Sequence, residues 1–270
     1  MSDGKVITDK QDLTYLKWSH ARASSGTAGT FLKSEEIVNG KKLYYKLSLF
    51  DAEKGIIGHE CVNEIIVDRL LALLGVEHLA YRLIHADVEI NNKIYDTWIC
   101  ASEDFKQKGE SKTALDNYYQ MNALPGTSIY DFCKANGWQS YIDVMLAVDY
   151  LILNRDRHGA NIEILRNARQ KTIRPAPLFD HGVSLLFNCH TDKEIDDFDI
   201  NADMPCQNFI GSRSVLNNLD LISDKNVFKG QLTEDNKEYI FKDLNKVVSK
   251  KLIEKAWEML YGRWNYYESL

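Results

Sequence analysis

The sequence predicts an α+β chain in which a small β-rich lobe precedes a larger helical lobe. Three observations predict it. Before residue 105 the apolar residues fall in short, partly alternating runs broken by Gly and Asn, with one helical pattern among them. Beyond residue 112 long helical patterns dominate. Between the two, "ASEDFKQKGESK" (residues 101–112) is polar and charged, as a boundary should be, which divides the chain into 1–104 and 105–270. With 270 residues and 44% hydrophobic content the chain can bury a core in two lobes sharing a cleft.

The first lobe reads in order as follows. "TYLKWSHARASSGTAGTFLKS" suits two short strands around a small-residue turn centred on Gly26 and Gly29. "KKLYYKLSLF" is an aromatic-rich strand. "GHECVNEIIVDRLLALLG" is an amphipathic helix: Val62, Ile65, Ile66, Leu70, Leu73 and Leu74 recur at helical spacing, and Gly75 is a natural stop. "YRLIHADVEINNKIYDTWICAS" reads as two strands turning at Asn91-Asn92-Lys93.

In the second lobe, "WQSYIDVMLAVDYLILN" places Ile142, Met145, Leu146, Val148, Tyr150 and Leu151 around most of a helix, which predicts a central, buried one. The polar turn "NRDRHGAN" and the strand "IEIL" follow. "RNARQKT" is a hairpin tip, and "PAPLFD" is an apolar strand ending at Asp180. The C-terminal "TEDNKEYIFKDLNKVVSKKLIEKAWEMLYGRWNYYESL" is helical again.

Composition excludes several function classes. A net charge of −6 with no Lys/Arg block argues against binding a nucleic-acid backbone. Five cysteines without a C-x-x-C pair fit reduced thiols and offer no zinc-ligand spacing. The polar N-terminus is no signal peptide, and no apolar run reaches the ~20 residues of a membrane span. A cytoplasmic protein without membrane attachment is the expectation.

The polar turns match what phosphoryl transfer requires. That chemistry needs a loop whose amides cover phosphates, a held lysine, a carboxylate that orients the nucleophile, and oxygen ligands for Mg²⁺. "SSGTAGTF" (24–31) offers Ser25, Gly26, Thr27 and Gly29 as that loop, although the same residues suit a plain β-turn. Lys46, inside an aromatic strand, needs a partner, or else it faces water from an edge. The next helix offers Glu60 and Glu64 on one face. Asp156 and Asn161, five apart across a turn, suit a nucleophile-orienting carboxylate and a metal ligand. Asp180, next to His181 and Gly182, suits a second metal ligand, and the hairpin between would bring the three together.

These segments, "DYLILNRDRHGANIEIL" with "PAPLFDHGVSL", "VNEIIVDRLLALLGV" and "YYKLS", resemble the HipA-like serine/threonine kinase family over roughly residues 20–215. The resemblance implies a two-lobed protein-kinase-like fold with ATP and Mg²⁺ between the lobes. It implies that Lys46 holds the phosphates, Glu64 anchors Lys46, Asp156 is the catalytic carboxylate, and Asn161 and Asp180 are the Mg²⁺ ligands. Backbone groups of Cys100 to Glu103, Ala101 and Glu103 among them, would face adenine. His158 reads as a loop organiser; Arg155 and Arg157 either hold phosphate or brace the turn. Longer family members carry a further N-terminal domain and bind a DNA-binding antitoxin, whereas this chain begins almost at the glycine loop. The acidic segment 190–205 suits a lid or substrate loop.

The expected activity is an ATP-dependent protein serine/threonine kinase acting on a protein substrate or on itself, with Ser24 and Ser25 as local acceptor candidates. The competing readings are a phosphatidylinositol-type lipid kinase and a nucleotide-binding pseudokinase or toxin-like interaction module.

Overall fold

The computed structural model describes residues 4–21 and 28–270. Strands β1 (Lys5–Asp12), β2 (Ser19–Ala21), β3 (Ala28–Val38) and β4 (Lys41–Leu47) are followed by a small ribbon of β5 (Phe50–Asp51) and β6 (Gly55–Ile56). Helix α1 (Glu60–Leu74) then leads to β7 (Tyr81–Ile90) and β8 (Lys93–Glu103). The large sheet runs β1-β7-β8-β4-β3-β2, with β1 parallel to β7 and the other neighbours antiparallel. The β7–β8 turn lies at Asn91 and Asn92, both at positive φ (53° and 61°), as a tight hairpin of this twist demands. β1 gave no sequence signal, because it is mostly exposed and has no alternating apolar face to advertise a strand.

Helix α1 is more deeply buried than its amphipathic pattern suggests. Every residue except Ala72 and Leu73 is buried, including Glu60, Asn63, Glu64, Asp68 and Arg69. The helix lies between the sheet and the second lobe, so its polar face meets protein rather than water. It stops as expected at Gly75, which takes φ 70°, while Val76 donates to the Leu71 carbonyl at 2.9 Å.

The second lobe begins with β9 (Glu110–Ala114), then α2 (Leu115–Asn122), α3 (Ile129–Ala135) and α4 (Gln139–Leu151). Ile142, Met145, Leu146, Ala147 and Val148 of α4 are each no more than 1% exposed, so this is the central helix its pattern predicted. Next come β10 (Asp156–Arg157), β11 (Glu163–Asn167) and β12 (Thr172–Pro175). β11 and β12 form the expected antiparallel hairpin, and β9 completes its sheet on the other side. The strand does not run on to Asp180. Pro175 and Pro177 cannot donate to a ladder, and only an isolated bridge of Leu178 with His78 survives beyond Pro175.

The acidic segment is ordered structure. Thr191 and Glu194 form a capping box for α5 (Asp192–Asp197), whose Ile195 is buried. β13 (Gln207–Asn208) then pairs in parallel with β10. The C-terminal region is helical in two pieces, α6 (Asn236–Phe241) and α7 (Lys250–Glu268).

Candidate active site

Lys46, Glu64, Asn161 and Asp180 meet where the large sheet faces the second lobe. Tyr44 and Lys46 are two apart on β4 and so share a face. Lys46 is 7% exposed, and its ammonium lies 2.9 Å from Glu64 Oε1 of α1 and 2.5 Å from Asp180 Oδ1. The choice between two helix glutamates is thus resolved for Glu64. Glu60 instead accepts the Leu49 amide at 3.0 Å and orders the chain before the helix. Burial opposes the Lys46 charge, but Asp180 and Glu64 outweigh it and hold the ammonium well above its ordinary pKa. Burial pushes the Glu64 carboxyl up, while Lys46 draws it back.

Asp180 sits in the left-handed region at φ 58°, a conformation that Asp tolerates better than most residues. Its amide donates to Tyr81 Oη at 3.1 Å, and the next amide, of His181, donates to Glu64 Oε2 at 2.9 Å. Asn63 donates to the carbonyls of Gly182 (3.0 Å) and Ser184 (2.9 Å). One turn of α1 therefore holds both the lysine and the backbone around Asp180. Lys33 of β3, directly opposite Lys46, stands 3.5 Å from the other Asp180 oxygen.

The polar turn after α4 is built on a buried ion pair. Arg157 is 1% exposed and reaches Asp149 of α4 through Nη2 at 2.8 Å and Nε at 3.1 and 3.2 Å. Its Nη1 donates to the carbonyls of Asn161 and Phe179, each at 3.2 Å, tying the turn to the segment that precedes Asp180. Asn154 donates to Asp149 at 2.8 Å and accepts the Asp156 amide at 3.1 Å. Arg157 is therefore a brace. Arg155 stacks over the Phe187 ring at 5.3 Å and donates to the Pro205 carbonyl at 3.3 Å. His158 Nδ1 accepts the Ala160 amide at 3.2 Å, and its Nε2 lies 3.6 Å from Asp156 Oδ1, as a loop organiser would.

Lys46, Cys100, Glu103, Asn161 and Asp180 line one open cleft. Asn161 donates its amide nitrogen to the Asp156 carbonyl at 2.8 Å, which assigns the other end of the carboxamide as oxygen. Asp156 is not part of the cleft wall, and its carboxylate is 31% exposed. Ala101 is also outside the wall; it packs with Leu47, Ile84, Ala86 and Ile99 on the far face of the sheet. β8 lies between β7 and β4, so Ala101 and its neighbours spend their backbone groups on the ladders, and the wall there is made by Ser102 to Phe105. Of the glycine-loop candidates, Ser25, Gly26 and Thr27 lie outside the described residues, and Gly29 falls in β3. Sequence reading missed Tyr81, Leu79, Phe179, Lys33, Lys112 and Glu163 as cleft residues. Asn63, in the first turn of α1, was passed over as well.

An oxygen from Asn161 and a carboxylate from Asp180 on one wall are the hard donors Mg²⁺ takes, so the residues present fit that ion. No protein-family model and no curated protein matches the chain. Among solved structures, it is similar to a Helicobacter pylori proinflammatory kinase, CtkA, with a TM-score of 0.59 and 15% identity over 94% of each chain. A second match, WaaP in complex with acyl carrier protein, has a TM-score of 0.37 and 11% identity over 94% of this chain and 89% of that one. The first likeness shows that the chain has a two-lobed, kinase-like α+β fold.

Proposed function

We propose that the chain is an ATP- and Mg²⁺-dependent phosphotransferase of HipA-like type that acts on serine or threonine side chains of protein. The observation that carries this reading is the buried Lys46 held by Glu64 and Asp180 in a cleft shared with Asn161. In this reading Lys46 binds the phosphates next to the leaving oxygen, and Glu64 keeps its ammonium charged and aimed. Asn161 and Asp180 would hold the metal, which would supply neutralising charge for the phosphates. Asp156 orients the acceptor hydroxyl and takes its proton; its carboxylate is partly exposed, as access by a large acceptor requires. The hydrogen bond from Asn161 to the Asp156 carbonyl fixes these two groups relative to one another.

A protein acceptor suits the charge of the segment from α5 to β13. Asp192, Glu194, Asp196, Asp197, Asp199 and Asp203 are all exposed, in the segment that leads to β13 and its pairing with β10. Lys251 pairs with Asp192 and Asp196, and the carboxylates that remain favour a basic polypeptide over an anionic lipid surface. The test is transfer of the ATP γ-phosphate, with Mg²⁺, to a basic protein or to the chain itself, followed by mass spectrometry. Asp156→Asn should lower the rate by about 10²–10⁴-fold with an unchanged melting temperature. Equal rates for wild type and variant, or no transfer by wild type, would sink the reading.

A further inference from the structure

The cleft has two chemically different ends. Lys46 and Asn161 stand at one end. Two residues from Lys46, on the same face of β4, stands Tyr44, and two residues beyond Asn161, at the start of β11, stands Glu163, both also in the cleft wall. Two strand residues span roughly 7 Å, about the length from a nucleotide's phosphates toward its base. Glu163 is 4% exposed, so a carboxylate is buried where a cleft for a flat aromatic ligand would ordinarily be apolar.

Lys112 completes this end. It comes from β9, diagonal to Glu163, which pairs with Ala114. Its ammonium lies 5.5 Å from the centre of the Tyr44 ring, 5.4 Å from that of Phe105 and 3.6 Å from Glu163 Oε2. At 3.6 Å the two charges attract but do not hydrogen-bond to one another. A cationic donor and an anionic acceptor therefore stand side by side, next to an aromatic face. An edge that matches them carries an acceptor beside an N–H donor on a planar ring. Adenine presents that pattern, as a ring nitrogen next to the exocyclic amino group.

Resting on the phosphotransferase reading above, we propose that Lys112 and Glu163 read the nucleobase. Lys112 donates to a ring nitrogen and Glu163 accepts from the 6-amino group, while the ring stacks on Tyr44. Neither residue is needed for the phosphates, so base selectivity and phosphate binding separate.

The experiment is calorimetric binding to the full chain of three probes with Mg²⁺: ATP, purine riboside triphosphate (6-amino group replaced by hydrogen) and inorganic tripolyphosphate. Wild type should bind ATP about tenfold tighter than the deamino analogue, the effect of one hydrogen bond to a charged group. Glu163→Leu should abolish that preference. Lys112→Met should weaken both nucleotides alike and keep the preference, and tripolyphosphate should bind equally to all three proteins. If Glu163→Leu melts below wild type, Glu163→Gln takes its place and must narrow the preference. A wild type indifferent to the amino group, or a preference that survives in the Glu163 variants, overturns the base-reading pair alone. A wild type that binds neither ATP nor tripolyphosphate overturns the phosphotransferase reading with it.

Discussion

Arg157 looked like a phosphate ligand as much as a brace when read in sequence, because a charge in a turn carries no label of its direction. Its depth decides. A guanidinium 1% exposed and forked onto Asp149 is committed to protein. Removing it strands a buried carboxylate, so Arg157→Ala should cost about 3–5 kcal/mol in chemical denaturation. Arg157→Lys should recover little, since an ammonium cannot make the forked contact or reach both carbonyls. A loss below about 1 kcal/mol would place the pair among the weak surface bridges and undo its role as the turn's keystone. Asp156, Asn161 and Asp180 stood out for the opposite reason, since polar groups at fixed spacings across one turn and one hairpin are visible in the chain itself; the structure puts Asn161 and Asp180 in one cleft wall and leaves Asp156 outside it. Lys112 and Glu163 did not stand out, because they are ordinary strand residues whose meeting depends on β9 pairing with β11.

At the scale of elements, α1 is the part on which the site depends most. It supplies Glu64 to Lys46 and Asn63 to the backbone beyond Asp180, and both contacts require a fixed axial position. The loop at Lys229 and Gly230 fixes its C-terminal end: both amides donate to the Leu74 carbonyl, at 3.0 and 3.3 Å. A Cβ on Gly230 would stand 2.0 Å from the Leu73 carbonyl oxygen. Gly230→Ala should therefore push the loop away and destabilise the chain by about 1–3 kcal/mol, read as a lowered denaturation midpoint. An unchanged midpoint would mean that this loop does not hold the helix. The helix itself was plain in the sequence from Val62 to Gly75, but its burial on both sides was not, because periodicity records only the more apolar face. The strand expected to reach Asp180 failed for a local reason, the two prolines ahead of it.

For the whole molecule, acid is the condition to watch. Burial, reinforced by the nearby His190, lowers the His59 pKa from 6.5 to about 4. Burial also holds His181 well below its ordinary value. Above pH 6.5 both imidazoles are neutral in folded and unfolded chains alike, and nothing is lost. Below it the unfolded chain takes up protons that the folded one refuses, so stability falls until pH nears 4, where His59 also titrates in the folded state. His78 works the other way, since its bond to Asp68 overcomes burial and raises its pKa. Variants separate these contributions. At pH 5 the His59 share of the loss is about 2 kcal/mol, and His59→Gln should be that much less sensitive to a change from pH 7 to pH 5 in urea melts. Equal sensitivity in the two proteins would show that His59 is not held neutral.

The sequence by itself determined the order of the lobes, the central helix, the hairpin between Asn161 and Asp180, and the candidate chemistry of Asp156, Asn161 and Asp180. Those rest on periodicity, turn residues and local spacing, which a chain carries wherever it lies. Only the tertiary structure decided that Glu64 rather than Glu60 holds Lys46, that Arg157 braces while Asp156 stays partly open, and that Lys112 and Glu163 share one end of the cleft. Each of these turns on which groups from distant segments meet out of water. Burial and charge pairing arise only once the sheet, α1 and the second lobe are packed together.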